Sequence, residues 1–365
     1  MKKHGAIAPH AIPPGATIGM LGGGQLGRMA ALAAASLGYK VHVLTPECDS
    51  PAEQVCAAVT IADYTDPAAL DGFAAAVDVV TYEFENVPVE AAERLAETVP
   101  VRPGAEALRV AQDRLREKEF AANLGIGTAP FRAVGAADEL AAAIAAIGIP
   151  AVLKTRRMGY DGKGQVKITA DTDPTEAWAA IGGKPAILEG FVLFTLEISV
   201  IVARGVDGQT LCYPPVENRH VNHILDTTIV PAAIPPALAA EAEDIARRMA
   251  EALDLVGLLA VELFVTEDGR VLMNEIAPRP HNSGHWTMDA CVTSQFEQMI
   301  RAVCGLPLGS VERFGDAEMK NLIGDQAHDW AAILADPTAK LHLYGKAEAR
   351  PGRKMGHVNR LIRKP

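Results

Sequence analysis

The sequence predicts a mixed chain, α/β in front and α+β behind: a parallel-sheet unit at the amino end, then units whose strands pair as hairpins. Two observations carry this expectation. Between residues 17 and 84 short apolar strands alternate with alanine-rich helices, the pattern of a parallel sheet with helices on its faces. Much later, two long apolar strands (257–266 and 270–277) are separated only by Glu-Asp-Gly, a hairpin spacing.

The elements follow in order. TIGML (17–21) is a short apolar strand, followed by a glycine cluster, the helix RMAALAAASLG and the strand YKVHVLT. AAVTIAD and VDVVTYEF are further strands, with DPAALDGFAAA as the helix between them, and the unit closes near Pro103–Gly104. A second unit opens with one charged helix, EALRVAQDRLREKEFAANLG (106–125), then an alanine-rich helix (138–147) and the strand PAVLKT. The glycine-rich turn RRMGYDGKGQ leads into strand VKIT. A third unit holds strands AILEGFV, LEISVIVAR and QTLCYPP, the helix ALAAEAEDIARRMAEALDL and the terminal hairpin. From about residue 310 periodicity is weak.

Composition narrows the function classes. The 365 residues suggest two or three domains, and 49% hydrophobic with 22% charged residues is ordinary for a soluble protein. Aromatics are only 5%, so the core is expected to be aliphatic. No stretch of 18 apolar residues free of charges or breakers suggests a membrane span. Five scattered cysteines without a CxxC argue for a reducing compartment. The opening MKKHGAIAPHAIPPGA lacks a continuous apolar region and reads as a loose tail, not a signal peptide. A net charge of −11 disfavours a general nucleic-acid binder. Against that sign, the stretch from Lys346 onward carries seven Lys/Arg and one acid, either a solvated tail or a local anion site.

Four segments carry chemistry. Gly22-Gly23-Gly24-Gln25-Leu26-Gly27 fits G-x-G-x-x-G between a strand and a helix, where glycines and free N–H groups admit an anion. Glu47, 20 residues beyond Gly27, leaves a dinucleotide open beside another phosphate ligand or an empty turn. Lys154 ends an apolar strand before GYDGKGQ (159–165), which suits a mobile loop over phosphates but is not a P-loop, because Gln165-Val166 replaces Lys-[Ser/Thr]. In the hairpin, a two-residue Asp268–Gly269 turn would pair Glu267 with Arg270 and, counting back, Glu262 with Glu275. Two opposed carboxylates in apolar strands repel, and a divalent cation relieves them; a raised pKa on one acid or a shifted register are the alternatives. Asn274 would point to the other face unless the strand bulges. Finally, Arg279-Pro-His281-Asn282-Ser-Gly-His285-Trp286 suits a small oxyanion, with a zinc site (His281, His285, Cys291) and a structural loop as alternatives. Glu217-Asn218-Arg219-His220 alone would be an ordinary loop.

Taken in order, these segments resemble the ATP-grasp superfamily and, within it, the N5-carboxyaminoimidazole ribonucleotide synthetases. The resemblance runs from about Ile18 to His357 through GGGQLGRM, YEFENVP, QDRLREK, GYDGKGQ, ILEGFV, LEIS, ENRH, NEIAPRPHNSGHW and RPGRKMGH. One departure is Met158, where many relatives have glycine. The resemblance implies an ATP-grasp fold with a Rossmann-like pre-ATP-grasp domain in front and a small carboxy-terminal β-rich segment. The implied divisions are a 1–15 disordered tail, a pre-ATP-grasp domain (16–106), a lid subdomain with its leading helix (107–188), a large subdomain with the Mg/ATP site (189–309) and a small carboxy-terminal domain (310–365).

It also implies the substrates ATP, bicarbonate and 5-aminoimidazole ribonucleotide, with two Mg²⁺ ions, a homodimer, a cytoplasmic location, and no nucleic-acid or membrane partner. By analogy ATP meets Arg114, Lys154, Gly159, Tyr160, Asp161, Gly162, Lys163, Gly164 and Gln165. Glu189 and Val192 line the adenine pocket, Gly190 and Phe191 between them also meet the nucleotide, Glu197 contacts the ribose and His220 the nucleotide, and Asn274 is carried over beside Glu275. Glu262 and Glu275 hold the metal. The ribonucleotide meets Gly24, Gln25, Leu26, Glu83, Tyr160, Asp161 and Lys163, with Lys346 and Arg353 on its phosphate. Bicarbonate sits near Arg279, His281, Asn282 and Lys346, and Asp161 and His281 are candidate bases for the amine.

Overall fold

The structure, a computed structural model, describes residues 11–159 and 162–362. Most of the expected tail, together with Tyr160 and Asp161, lies outside the described residues.

The first unit is β1 (Thr17–Leu21), α1 (Gln25–Ser36), β2 (Lys40–Thr45), β3 (Ala58–Ile61), α2 (Pro67–Ala74), β4 (Val79–Tyr82) and α3 (Val89–Ala96). Its sheet is wholly parallel in the order β3-β2-β1-β4, as the alternation predicts. β4 is buried at every position and β1 at all but its first, which is why both read as continuous apolar runs.

The expected single helix at 106–125 is two helices, α4 (Ala105–Ala111) and α5 (Arg114–Asn123). Asp113 makes the break. Its carboxylate accepts the N–H groups of Leu115 and Arg116 and also pairs with the Arg156 guanidinium at 2.6 and 2.9 Å. An aspartate bonded to its own following backbone caps a helix better than it continues one. The break turns α5 so that Arg114, Glu117 and Lys118 reach the hairpin strand at 271–277.

A small antiparallel sheet follows: β5 (Phe131–Val134), α6 (Ala137–Ile147), β6 (Ala151–Thr155), β7 (Gln165–Ile168), α7 (Pro174–Ala180) and β8 (Ala186–Gly190), in the order β5-β8-β6-β7. The glycine turn joins β6 to β7. The rest of the chain builds one large antiparallel sheet from β9 (Phe194–Arg204), β10 (Thr210–Cys212), β11 (Val216–Val221), β12 (Ile224–Val230), β13 (Gly257–Thr266) and β14 (Val271–Ala277), joined by β15 (Asp316–Ile323), β16 (Ala339–Leu343) and β17 (Lys354–Ile362). Its order is β14-β13-β9-β11-β12-β15-β17-β16, with β10 beside β9. The helices are α8 (Pro236–Ala252), the short α9 (Thr287–Ala290), α10 (Gln295–Val303) and α11 (Trp330–Leu334). α10 packs between this sheet and α1, so one apolar core runs from the first unit into the large sheet.

One expectation needs correction. Glu217-Asn218-Arg219-His220 is not a loop but most of β11, paired with β12 throughout and with β9 as far as Asn218. The weakly periodic region after 310 holds three strands, as the implied β-rich segment requires; their pattern is broken by Asn321, His357 and Asn359, polar residues no more than 1% exposed. The His285 and His357 rings lie there with centroids 4.7 Å apart, tilted by 33°, His357 stacks on His342, and Tyr344 Oη lies 2.9 Å from His357 Nδ1.

Burial first, then the neighbouring imidazoles, push His285 and His357 well below the ordinary histidine value of 6.5. The unfolded chain therefore takes up protons as pH falls below about 6.5 while these two rings stay neutral in the fold. Stability is fully present above that pH and is lost on acidification, by up to about 1.4 kcal/mol per pH unit for each ring. Urea midpoints between pH 7.5 and 5 should fall more steeply for the native chain than for a His357→Gln variant; parallel curves would refute the assignment.

Candidate active site

The hairpin brings Glu262 and Glu275 opposite each other, as expected, but by a different route. The turn has three residues, not two: Thr266 pairs with Arg270, the Gly269 N–H donates to Thr266 O at 3.0 Å, and Gly269 takes φ +79°. That places Leu263 opposite Met273. A bulge at Asn274 then inserts one extra residue into β14, and Glu262 meets Glu275. The two extra residues compensate. The bulge also lets Asn274 and Glu275, sequence neighbours, line one cleft, the geometry Asn274 needed for a role there.

Each carboxylate has a cationic or hydrogen-bonding neighbour. Arg114 Nη1 donates to Glu275 Oε2 at 2.7 Å, and His281 Nε2 lies 2.9 Å from Glu262 Oε1. Burial would raise the Glu275 carboxyl, but Arg114, then Lys154, outweighs it and holds it at about 2. Behind it Glu117, 2% exposed, accepts the Ile276 N–H; burial and then the Glu275 charge push this carboxyl up to about 8, so it carries the proton of the two. Lys118, 1% exposed, donates to the carbonyls of Met273 and Asn274 at 3.1 and 2.7 Å, which fixes the bulge. Lys154 Nζ binds Glu189 Oε2 at 2.9 Å, and the Lys118 and Lys154 charges overcome burial to keep Glu189 ionised.

Arg114, Glu117, Lys154, Glu262, Glu275 and His281 line a cleft of about 460 Å³ between the small sheet and the large one. It collects most of the expected nucleotide and anion residues: Arg114, Lys154, Gly159, Gly162, Gln165, Glu197, His220, Glu262, Asn274, Glu275, Arg279, His281 and Asn282. His220 and Glu197 pair across β11 and β9. Arg279 pairs with Glu85 of the first unit. In the glycine turn, a Cβ on Gly164 would lie 2.6 Å from Thr155 Oγ1 and one on Gly162 would lie 2.8 Å from His223. Met158 takes φ +63°, a left-handed conformation that glycine adopts without cost, which gives a physical reason for glycine at this position.

Other expected residues stand apart from the cleft. Glu189 lies behind Lys154. Phe191 and Val192 line a second, more apolar recess with Leu193 and Leu272, and Gly190 ends β8 beside Pro130. Lys346 donates to Lys354 O at 2.8 Å, with its ammonium 5.8 Å from the centroid of the Tyr344 ring; Arg353 donates to Glu348 O. His285 Nδ1 meets Gln295 Nε2 and Cys291 Sγ meets Val311 O, and no three His, Cys, Asp or Glu side chains converge as metal ligands among the described residues, so the zinc alternative is not supported. The sequence reasoning missed Glu85, Glu117, Lys118, Arg156, Phe264 and Lys354. For Lys118 a signal existed, since it stands four residues after Arg114 in QDRLREK, on the same helix face.

The glycine loop has an internal anion. The Glu83 carboxylate accepts the N–H groups of Gly24 (2.7 Å) and Gly27 (3.1 Å) at the start of α1. A Cβ on Gly24 would lie 2.6 Å from Glu83 Oε1, so the glycines make room for this side chain. The groups that would cradle a pyrophosphate are thus taken, and Glu47 is exposed. Gln25 and Leu26 begin α1 above this contact. Burial raises the Glu83 carboxyl despite these donors.

A lid sheet closing over a large antiparallel sheet, with cations and opposed carboxylates between them, defines an ATP-grasp enzyme. Family models agree in order: a ribonucleotide synthetase preATP-grasp domain over residues 15–112, an ATP-grasp domain over 119–296, and a phosphoribosylaminoimidazole carboxylase C-terminal domain over 317–364. The chain is 53% identical over 352 residues to the N5-carboxyaminoimidazole ribonucleotide synthase of Brucella melitensis, covering 96% of this chain and 97% of that one. It is 46% identical over 351 residues to the Bacillus subtilis enzyme of the same name, covering 95% and 92%. Among solved structures, an N5-carboxyaminoimidazole ribonucleotide synthetase in its ADP complex superposes with a TM-score of 0.94 at 46% identity, covering 97% and 94%. The Aspergillus clavatus synthase in complex with ADP and 5-aminoimidazole ribonucleotide gives 0.88 at 34%, covering 95% and 94%. The chain belongs to the N5-carboxyaminoimidazole ribonucleotide synthase family.

The Glu83 contact makes a measurable claim. Glu83→Gln places an NH₂ group against one of two N–H donors, and the expected loss is about 1–3 kcal/mol of stability. An unchanged denaturation midpoint would show that the carboxylate does not hold the loop.

Proposed function

We propose that the cleft carries out the ATP-dependent carboxylation of 5-aminoimidazole ribonucleotide through carboxyphosphate. The observation that carries this reading is the Glu262–Glu275 pair beside Asn274, set below Arg114 and Lys154. The two carboxylates and the Asn274 Oδ1, which is buried with no hydrogen-bond partner among the described residues, fit a hard cation such as Mg²⁺. When bound, Mg²⁺ would be held by these carboxylates and would supply positive charge against theirs and that of the transferred phosphoryl group, and the resemblance implies two ions.

Bicarbonate is a poor electrophile, and its phosphorylation gives a mixed anhydride with a good leaving group. The substrate amine then attacks that species or the CO₂ it releases. Phosphoryl transfer needs positioning and charge neutralisation more than bond-making groups. Arg114 and Lys154 would hold the ATP phosphates, with Glu189 orienting Lys154 by their ion pair. Arg279, aimed by Glu85, and Asn282 would hold bicarbonate beside His281. The loop at 159–165 would cover the nucleotide and keep water from the short-lived anhydride. Lys346 and Arg353 would take the ribonucleotide phosphate, with Glu83 and the 24–26 loop nearby. The same reading expects a homodimer in the cytoplasm. Among the described residues no helix is long and apolar enough to cross a membrane.

A coupled ADP assay with each substrate omitted in turn tests the reaction. ADP release should require bicarbonate, Mg²⁺ and the aminoimidazole ribonucleotide together, and release indifferent to the ribonucleotide would refute the proposal. Glu275→Ala should lower turnover by about 100-fold or more while the chain stays folded.

Burial first, then the neighbouring Arg353, push the Lys346 ammonium down to about 8. Lys346 therefore loses its positive charge as pH rises through that value. kcat/KM for the ribonucleotide should fall on the alkaline side of about pH 8. In a Lys346→Arg variant this limb should vanish; its persistence there would assign it to another group.

A further inference from the structure

A row of buried polar side chains crosses the floor of the cleft and ends on His281. Thr228 (0% exposed) on β12 lies opposite Asn218 on β11, and its hydroxyl donates to Asn218 Oδ1 at 3.0 Å. Asn218 Nδ2 donates to Ser199 Oγ on β9 at 2.9 Å. Ser199, opposite Glu262 in the sheet, lies 2.7 Å from Ser283 Oγ. Ser283 Oγ lies 2.7 Å from His281 Nδ1, and its main-chain N–H also points at that nitrogen, at 3.4 Å. Burying three hydroxyls and an amide is costly unless each is bonded, and valine or alanine would fill such a row without that demand.

The row has one polarity, set at the histidine. The Ser283 main-chain N–H can only donate, so His281 Nδ1 presents a lone pair and the Ser283 hydroxyl donates to it. The proton between the two serines then comes from Ser199, whose oxygen accepts from Asn218. At the other end, Nε2 faces a Glu262 carboxylate oxygen at 2.9 Å, and a carboxylate can only accept. Both ends give the same answer.

We infer that Ser283, Ser199 and Asn218 are positioning residues that hold His281 as the neutral Nε2–H tautomer. In that form Nε2 carries the proton it shares with Glu262, the one it can present to an anion in the cleft, and has no lone pair with which to take one from the substrate amine. His281 is then a hydrogen-bond donor to the reacting oxyanion, and the base for the amine lies elsewhere. The tautomer stands on the contacts alone; only the identity of the anion rests on the carboxylation reading.

Long-range proton–nitrogen correlation on ¹⁵N-histidine-labelled protein reads the tautomer, with His281 assigned by the signal missing in His281→Gln. An unprotonated Nδ1 and a protonated Nε2 are expected in the native chain, and the reverse pattern would overturn the inference. Ser283→Ala should mix the tautomers and lower kcat about fivefold to tenfold, with KM for ATP unchanged. Ser199→Ala should act in the same direction but less. Native spectra and native kcat in Ser283→Ala would refute the positioning role. If the ADP assay fails but the Nε2–H pattern is found, the reaction is misassigned and the relay stands; the opposite result removes the relay alone.

Discussion

Two carboxylates meeting across neighbouring strands cannot stay ionised in a half-buried cleft without compensation. An uncompensated buried charge costs several kcal/mol, and a like-charged neighbour adds to it. Arg114 supplies the opposite charge at Glu275, and His281 a hydrogen bond at Glu262. Arg114 is itself half-buried and Lys118, one turn further along α5, is buried, so a second rank of acids follows: Glu117 protonated, Glu189 ionised between Lys118 and Lys154. The charges alternate outward from the hairpin. Their carriers come from α5, the small sheet, the large sheet and, through the Glu85–Arg279 pair, the first unit. The site is therefore also the joint, and the units cannot dock correctly without setting these pairs.

This dependence explains which parts of the chain were legible. The parallel sheet and the strands β13 and β14 are apolar runs with clean boundaries, and both follow from pattern alone. Wherever polar residues are buried, pattern fails. β11 contains Glu217 and Asn218, both buried, and β17 contains His357 and Asn359; neither stretch alternates as a strand with one wet face would. The break at Asp113 is a side-chain decision within a helical run. The hairpin register was right about Glu262 and Glu275 because the longer turn and the Asn274 bulge offset each other, and the turn alone would have misplaced every pair beyond it. Of the site, the residues that face the cleft were largely legible. Glu85, Glu117 and Lys118 were not, because their roles exist only once three elements have packed together.

The glycine loop shows how one local geometry serves different ends. A strand, a glycine-rich turn and a helix N-terminus make an anion site in any parallel sheet of this kind. Here the anion belongs to the protein. Glu83, at the end of the adjacent strand β4, fills the position with a carboxylate, and the glycines are needed because that carboxylate packs against their backbone. A dinucleotide would have to displace a buried side chain that already satisfies two N–H groups. The exchange leaves the fold unchanged and removes the ligand its motif suggests. It also places a fixed, buried acid at the edge of the first unit, close enough to Arg279 and Lys346 to influence both charges. The motif is best read through Glu83, 56 residues beyond its last glycine, because that side chain decides whether the helix terminus remains open to a ligand.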